Sequence, residues 1–375
     1  MELNRRTFLE TAALGIGGAM LGAVGCSDSS DSGATAAPTI SHPFRPPAGQ
    51  AYLIAGQDSV QIGGLGPNGP ADGYLDNVPV TPSGITMYIA FGKPGQTDGF
   101  KMDKSVEDYI ALPALDNTIV HLSANWVGEG VDDATMIEKE EDILNGRQDA
   151  FIDWLADWCS AQRRPILFRL GYEFNRPVLA LFSPERYAPV YRYIVDRMRA
   201  RNVSGVAFVW ASANLSFDPA GPSTPWDFDV WYPGDDYVDW FGFSMWFPGV
   251  PDTVMLDAAR ARNKPVLLAE VSPVEFNVSE SAFYPLFTRE GQVLDARELW
   301  QRWWQPMFDF VSSNIDVIGG LAYIANDWRS DRLWSSNPFF WNSDARVWAN
   351  NTVLELWTEA VSNPVFVQPN SRLFS

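Results

Sequence analysis

Two glutamates in this sequence each follow directly on a strongly apolar run. Glu173 comes at the end of PILFRLGYEF (165–174) among aromatic residues, and Glu270 follows KPVLLA (264–269). Apolar surroundings raise the pKa of a carboxyl group, as a general acid requires, and a stiff strand holds a carboxylate in place, as a nucleophile requires. Glycoside hydrolysis uses two such carboxyl groups on either side of the scissile bond. The pattern therefore predicts Glu173 as the acid and Glu270 as its partner.

The elements that must bring the two carboxyl groups together are eight short apolar runs with helix-like segments between them. The runs are 51–57, 84–92, 118–126, 165–174, 205–214, 238–246, 265–272 and 319–328. Runs that are apolar on both faces suit parallel strands covered by helices. The segments 149–162, 183–202, 295–314 and 350–363 have the pattern of amphipathic helices, whereas the first two crossovers and the one around 215–236 are loop-like.

This alternation predicts an α/β fold, a (β/α)8 TIM barrel, in a single domain over residues 46–375. An open doubly wound sheet is the alternative. The sequence has no Gly-rich phosphate-binding turn after an early strand, which counts against it.

In a TIM barrel the carboxyl ends of the strands form the face that carries the active site. Aromatic and polar residues at these ends are candidates for binding sugar, because flat rings stack on sugar rings. The candidate substrate-binding residues are Arg169, Tyr172, Asn175, Trp126, Asn214, Tyr232, Trp246 and Trp328. Arg169 lies four positions before Glu173 on the same side of an alternating strand, and we expect it to hydrogen-bond Glu270 and keep it ionised. A purely structural salt bridge is the alternative for each glutamate.

Five segments resemble strand-end motifs of the clan A glycoside hydrolases, and most closely those of family 26, the β-mannanase family. They are FRLGYEFN (168–175), VWASAN (209–214), YPGDDYVDWFGFSMW (232–246), KPVLLAEVSP (264–273) and LAYIANDW (321–328). The resemblance implies a retaining mechanism with Glu173 as acid/base and Glu270 as nucleophile. It implies an endo-acting β-glycanase on a polysaccharide or oligosaccharide of the mannan, xylan or β-glucan class.

One position departs from the family pattern. Family 26 has a His directly before its acid/base Glu and much of the clan has Asn, whereas this chain has Tyr172. In those enzymes that residue touches the sugar or steadies a carboxylate. The departure leaves the identity of the sugar open.

Charge and composition exclude other classes of partner. The formal net charge of −19 excludes nucleic acid and an anionic membrane surface as the main partner, because both would repel the protein. The chain has only 2 His and 2 Cys, which are scattered, so we expect no metal and no cofactor. His121, in the middle of an apolar run, is predicted to be a hydrogen-bonded interior residue.

The N-terminus has the pattern of an export signal. Arg5 and Arg6 precede an apolar stretch of small residues, which resembles a bacterial twin-arginine signal peptide over residues 1–25. The sequence AVGC (23–26) resembles a lipoprotein processing site with Cys26 as the lipidated residue, and cleavage without lipid is the alternative. A flexible polar tether follows over residues 26–45. We expect an exported protein, periplasmic, at the cell surface or extracellular, that touches a membrane only through that lipid.

Two other functions stay open at this point. A non-catalytic glycan-binding surface lipoprotein on the same barrel would keep the tryptophans without needing both glutamates. A polysaccharide lyase would act on an acidic sugar, for which a net charge of −19 is a poor match. The presence of both Glu173 and Glu270 favours the hydrolase.

Overall fold

The computed structural model describes residues 44–66, 72–95, 106–128, 131–176, 182–214, 227–331 and 333–369. The predicted signal peptide, Cys26 and the tether up to residue 43 lie outside the described residues. No helix within the described ranges is long and apolar enough to cross a membrane.

Eight parallel strands close into a barrel in which neighbours in the chain are neighbours in the sheet, and the last strand pairs with the first. The barrel strands are β1 (Tyr52–Ala55), β2 (Gly84–Ala90), β3 (Ile119–Asn125), β4 (Ile166–Leu170), β5 (Val206–Ser212), β6 (Trp240–Met245), β7 (Val266–Val271) and β11 (Ile318–Tyr323). All eight predicted runs form barrel strands, so the predicted (β/α)8 barrel is confirmed. A small antiparallel sheet of β8 (Phe276–Asn277), β9 (Ala282–Phe283) and β10 (Gln292–Val293) follows β7 and was not expected from the sequence.

The two faces of the barrel strands belong to separate hydrophobic clusters, as alternation along a strand requires. Tyr52 and Ile54 of β1 belong to the smaller, inner cluster, which is filled mainly by branched and small side chains. Trp240 enters this interior because Gly319 leaves space for it: a Cβ at Gly319 would lie 2.7 Å from the Trp240 ring. The larger cluster packs the outer face of the barrel against the helices.

The helices lie between the strands, and each of the four segments with an amphipathic pattern is helical. They are α1 (Ser59–Ile62), α2 (Tyr74–Asn77), α3 (Val106–Ile110), α4 (Asp133–Leu144), α5 (Asp149–Ala161), α6 (Pro184–Ala200), α7 (Phe228–Trp231), α8 (Thr253–Ala261), α9 (Ala296–Arg302), α10 (Trp304–Ser313) and α11 (Asn351–Val361), with short 3-10 turns at Pro113–Leu115 and Val347–Ala349. The expected single helix over 295–314 is wrong, because Trp303 leaves helical geometry (φ −133°, ψ −53°) and divides it into α9 and α10.

Candidate active site

A tight turn after β4 places Glu173 at the mouth of the barrel, the face formed by the carboxyl ends of the strands. Gly171 and Glu173 both have left-handed backbone geometry, with φ of 58° and 53°. At Gly171 a side chain is also excluded by packing, because a Cβ there would lie 2.5 Å from the Trp126 ring. The Glu173 N–H donates to the carbonyl of Ala211 at 2.9 Å, which fastens the turn to the end of β5. A non-glycine residue in this conformation is strained and often functional.

The Glu173 carboxyl group is buried, with 8% of the residue exposed, and it has two close partners. The Ser244 hydroxyl donates to Oε1 at 2.7 Å, and the Arg176 guanidinium lies 3.6 Å from Oε2. Burial raises the pKa of Glu173, and the negative charge of Glu270 raises it further, against the lowering effects of Arg176, Arg169 and Ser244. This is the environment expected of a group that must deliver a proton near neutral pH.

Glu270 lies on β7 and accepts two hydrogen bonds on the same oxygen. Arg169 Nη1 and the Tyr88 hydroxyl each donate to Oε1 at 2.8 Å. The predicted bond between Arg169 and Glu270 is therefore present. Burial, followed by the charge of Glu270, raises the pKa of Tyr88 well above 10.0, so the phenol keeps its proton and remains a donor. Positive charge and hydrogen bonds both stabilise a carboxylate in its ionised form.

Ser244 of β6 connects the two carboxyl groups. It is the sheet partner of Glu270 across a register shift between Phe243 and Ser244, and its hydroxyl bonds Glu173. Glu173 and Glu270 therefore meet beside one hydroxyl at the carboxyl ends of β4, β6 and β7. Register shifts of this kind re-aim side chains near active sites.

Three further candidate residues lie around this pair. The Tyr172 ring is half-buried and lies 4.4 Å from the Arg169 guanidinium carbon. Asn175 Oδ1 accepts from the Ala213 N–H at 2.8 Å, and Asn214 Nδ2 donates to the Val250 carbonyl at 2.8 Å. Among the described residues, Asn175 Nδ2 and Asn214 Oδ1 are buried without a hydrogen-bond partner.

Trp126 and Trp328 do not form the exposed sugar platforms expected of them. Trp126 is 3% exposed, and its ring packs against Phe182 and Tyr187 with centroids 4.6 and 5.4 Å away. Trp328 is 1% exposed and stacks on Phe340 at 4.3 Å. The cause is the same in both places: aromatic residues from later loops and helices cover the ring faces.

Tyr232 lies away from the two glutamates. Its hydroxyl donates to Asp235 at 2.5 Å and its ring lies 5.0 Å from the Arg262 guanidinium carbon. These neighbours belong to the segments that enter β6 and β7, at the opposite end of the barrel from the mouth, so the expectation of a sugar contact is wrong. Trp246, by contrast, is half-buried just after β6, with Trp328, Phe339 and Phe340 around it.

Tyr88 and Ser244 were missed as site residues by the sequence analysis. Both are hydroxyl side chains in the last half of an otherwise apolar strand, within GITMYIA and WFGFSM. That position on a barrel strand is a usable signal, because a buried hydroxyl group requires a partner. His121 is an interior residue as predicted, with Nδ1 3.0 Å from the Thr86 hydroxyl, and no cluster of potential metal ligands occurs in the described part of the chain.

Glu140 is a further buried carboxylate, whose side chain lies between α4 and the start of α6. It is fully buried on α4 and accepts from the Ser183 N–H at 2.9 Å, immediately before α6. Burial raises the pKa of Glu140 from 4.5 to about 7. A raised pKa means that the folded state binds this proton more tightly than the unfolded state does, so the stabilisation is complete below pH 4.5 and is lost as the pH rises through 7.

Glu140→Gln is therefore expected to stabilise the protein increasingly between pH 5 and pH 8. The amide can still accept from Ser183 but cannot ionise, so the gain in the free energy of unfolding at pH 8 should be about 2 kcal/mol. Denaturant unfolding at the two pH values measures this. Glu141→Gln is the matched control, because Glu141 is half exposed and its ion pair with Arg186, at 3.4 Å, lies at the surface. An identical pH dependence in wild type and Glu140→Gln would contradict the assignment.

Comparison with known proteins bears on what this arrangement does. The model of glycosyl hydrolase family 26 matches residues 120–308, a span that contains Glu173, Ser244 and Glu270. The chain is 27% identical over 312 residues to the protein named beta-1,3-xylanase TXYA of Vibrio sp, with 80% of this chain and 64% of that protein covered. It is 25% identical over 315 residues to a beta-1,3-xylanase of Alcaligenes sp, with 80% and 63% covered. The chain thus spans less than two thirds of the length of both relatives.

Solved structures share the fold at low sequence identity. A modular endo-beta-1,4-mannanase of Cellulomonas fimi superposes with a TM-score of 0.58 at 16% identity, with 88% of this chain and 74% of that chain covered. A beta-mannanase of Bacteroides ovatus gives 0.54 at 16% identity, with 86% and 93% covered. At this identity the likeness supports the barrel fold.

Proposed function

The chain belongs to glycosyl hydrolase family 26, and from this premise we propose that it is a retaining, endo-acting glycoside hydrolase of β-linked polysaccharides. The observation that carries the proposal is the meeting of two buried carboxyl groups in different environments beside Ser244. Glu173 has a raised pKa, whereas Glu270 accepts bonds from a guanidinium and a phenol. Where the environments of two carboxyl groups push their pKa values apart, the group with the raised pKa is the acid and the ionised group is the nucleophile.

In the proposed reaction Glu173 gives its proton to the glycosidic oxygen while a Glu270 oxygen attacks the anomeric carbon. The leaving alcohol departs and a glycosyl ester forms on Glu270. Water then attacks the ester, and Glu173, now a carboxylate, takes the proton of that water. Two inversions at the same carbon give net retention.

For the substrate we propose xylan, and β-1,3-xylan first. The support is that the two relatives described above, each aligned with 80% of this chain, are named as beta-1,3-xylanases. Mannan and β-glucan are the other candidate substrates. Tyr172, Asn175, Asn214 and Trp246 are the proposed sugar contacts, because a sugar hydroxyl can satisfy the buried amide atoms of Asn175 and Asn214.

A glycan panel tests the proposal. Purified protein is incubated with β-1,3-xylan, β-1,4-mannan and a β-glucan, and product sizes and the first-formed anomer are recorded by chromatography and proton NMR. Oligosaccharides of several lengths with the β-anomer formed first are expected from one polymer. The α-anomer formed first would contradict retention, and no cleavage of any polymer would contradict the enzyme. A protein that binds glycan without cutting it would fit the non-catalytic alternative, which the pair of carboxyl groups does not favour.

We also propose export through the twin-arginine-type signal and lipidation at Cys26. The support is confined to the sequence RRTFLE with its apolar stretch and to AVGC. Fractionation of wild type and Cys26→Ser measures it, and equal membrane association of both would contradict lipidation.

A further inference from the structure

Glu270 and three side chains around it form a closed set of contacts that involves β2, β4 and β7. Glu270 accepts from Arg169 and from Tyr88 at 2.8 Å each. The Tyr172 ring lies 4.4 Å from the guanidinium carbon of Arg169. It also meets the Tyr88 ring edge to face, with centroids 5.5 Å apart and planes at 78°. Each of the four residues therefore touches two of the others.

Arg169 depends on its neighbours because it is buried and only partly hydrogen-bonded. The residue is fully buried, and within the described chain Nε and Nη2 have no hydrogen-bond partner. A guanidinium that reaches a carboxylate through one nitrogen can pivot about that bond, unlike a bidentate pair. A ring lying against the guanidinium restricts this pivot and favours the cation in a dry environment.

Tyr172 is well placed to provide that restriction. It follows Gly171 and precedes Glu173, both left-handed, so the turn holds its ring in the mouth of the barrel rather than along β4. The same ring touches Tyr88, the second donor of Glu270 Oε1. One side chain thereby contacts both donors of the nucleophile.

We propose that Tyr172 is a positioning residue for Glu270, which holds Arg169 and Tyr88 in their hydrogen bonds to Oε1 and so orients the carboxylate for attack on the anomeric carbon. Only one part of this proposal, the attack of Glu270 on the anomeric carbon, rests on the proposed function. The ordering of Arg169, Tyr88 and Glu270 concerns the resting protein and can be tested without substrate. Tyr172 thus steadies a carboxylate on β7, which β5 and β6 separate from β4, in addition to its proposed contact with sugar.

The test measures the titration of Glu270 in the resting protein. Carbon-13 NMR of the glutamate carboxyl groups is recorded against pH, and the Glu270 signal is assigned by its absence in Glu270→Gln. In Tyr172→Leu the pKa of Glu270 is expected to rise by about one unit, because Arg169 and Tyr88 stabilise the carboxylate less well. Tyr172→Phe keeps the ring, so its titration should match wild type. Tyr88→Phe removes one donor and should also raise the pKa.

A matched control and a kinetic readout complete the experiment. Tyr109→Phe removes another buried phenol, whose hydroxyl donates to the Ser59 carbonyl at 2.9 Å, and should leave the Glu270 titration unchanged. If the polymer is cleaved, the acid limb of kcat/KM should move up in Tyr172→Leu by the same shift, with kcat/KM about tenfold lower on the plateau. An unchanged Glu270 titration in Tyr172→Leu, with a raised pKa in Tyr88→Phe, would overturn the positioning role even if hydrolysis is confirmed. A raised KM with an unmoved acid limb would do the same.

Discussion

Glu270→Gln is expected to lose at least about 10⁴-fold in kcat/KM on the polymer while still binding it. The amide keeps the shape of the side chain and its oxygen can still accept from Arg169 and Tyr88. It cannot attack the anomeric carbon, so no glycosyl ester forms. Glutamine is preferable to alanine here, because it keeps an oxygen acceptor for the buried Arg169, whereas truncation would remove both the charge and the hydrogen-bond acceptor of that guanidinium.

The measurement combines turnover with binding by calorimetry, so that a lost reaction is distinguished from a lost fold. Glu275→Gln is the matched control: Glu275 also follows β7, but its carboxylate accepts from the Leu286 N–H, between β9 and β10, and lies outside the proposed machinery. The control should keep full activity. Turnover by Glu270→Gln within about tenfold of wild type would remove Glu270 from the nucleophile role.

The barrel and its pair of carboxyl groups could be predicted because both depend on strands. Apolar runs such as 165–174 and 265–272 mark buried parallel strands, and the carboxyl ends of such strands share one face. The bond from Arg169 to Glu270 followed from alternation along β4 together with that shared face. Each of these predictions depends on the periodicity of residues within a single segment, which can be read from the sequence.

The errors arose where long-range packing decides exposure. Trp126 directly follows β3 and Trp328 lies in the loop after β11, but Phe182 and Phe340, which come from later segments, cover them. Nothing in the local pattern distinguishes a covered ring from an open one, since tryptophan suits both. The expectation for Tyr232 is wrong for a related reason. Tyr232 lies in the segment that leads into the first residue of β6, so it belongs to the amino-terminal end of the barrel strands.

Only some of the contacts around Glu270 could be predicted from the sequence. Tyr172 differs from the residue that the family has at this position, yet its contact with Arg169 requires the turn made by Gly171 and Glu173. Tyr88 comes from β2, and its approach to β7 across the barrel depends on closure of the whole sheet. Contacts across a closed barrel are set by its register, which no single segment specifies.

Glu173→Ala is expected to slow cleavage of the polymer by about 10² to 10⁴-fold. The glycosidic oxygen of a polysaccharide is a poor leaving group and requires the proton of Glu173. An activated aryl glycoside leaves without that help, so formation of the glycosyl ester should be much less affected. Azide should then accelerate turnover of the aryl glycoside in this variant, because it attacks the ester without a general base and gives a β-glycosyl azide.

The pH profile provides a second readout for the same residue. Burial and the charge of Glu270 raise the pKa of Glu173, so the group keeps its proton to a higher pH than an exposed carboxyl does, and polymer cleavage should fall on the alkaline side as that proton is lost. In Glu173→Ala this alkaline limb should disappear with the aryl glycoside, while the acid limb, which belongs to Glu270, stays. An equal loss of rate on polymer and aryl glycoside, without azide rescue, would contradict an acid/base role, because a group that only binds or orders the site acts on both substrates alike.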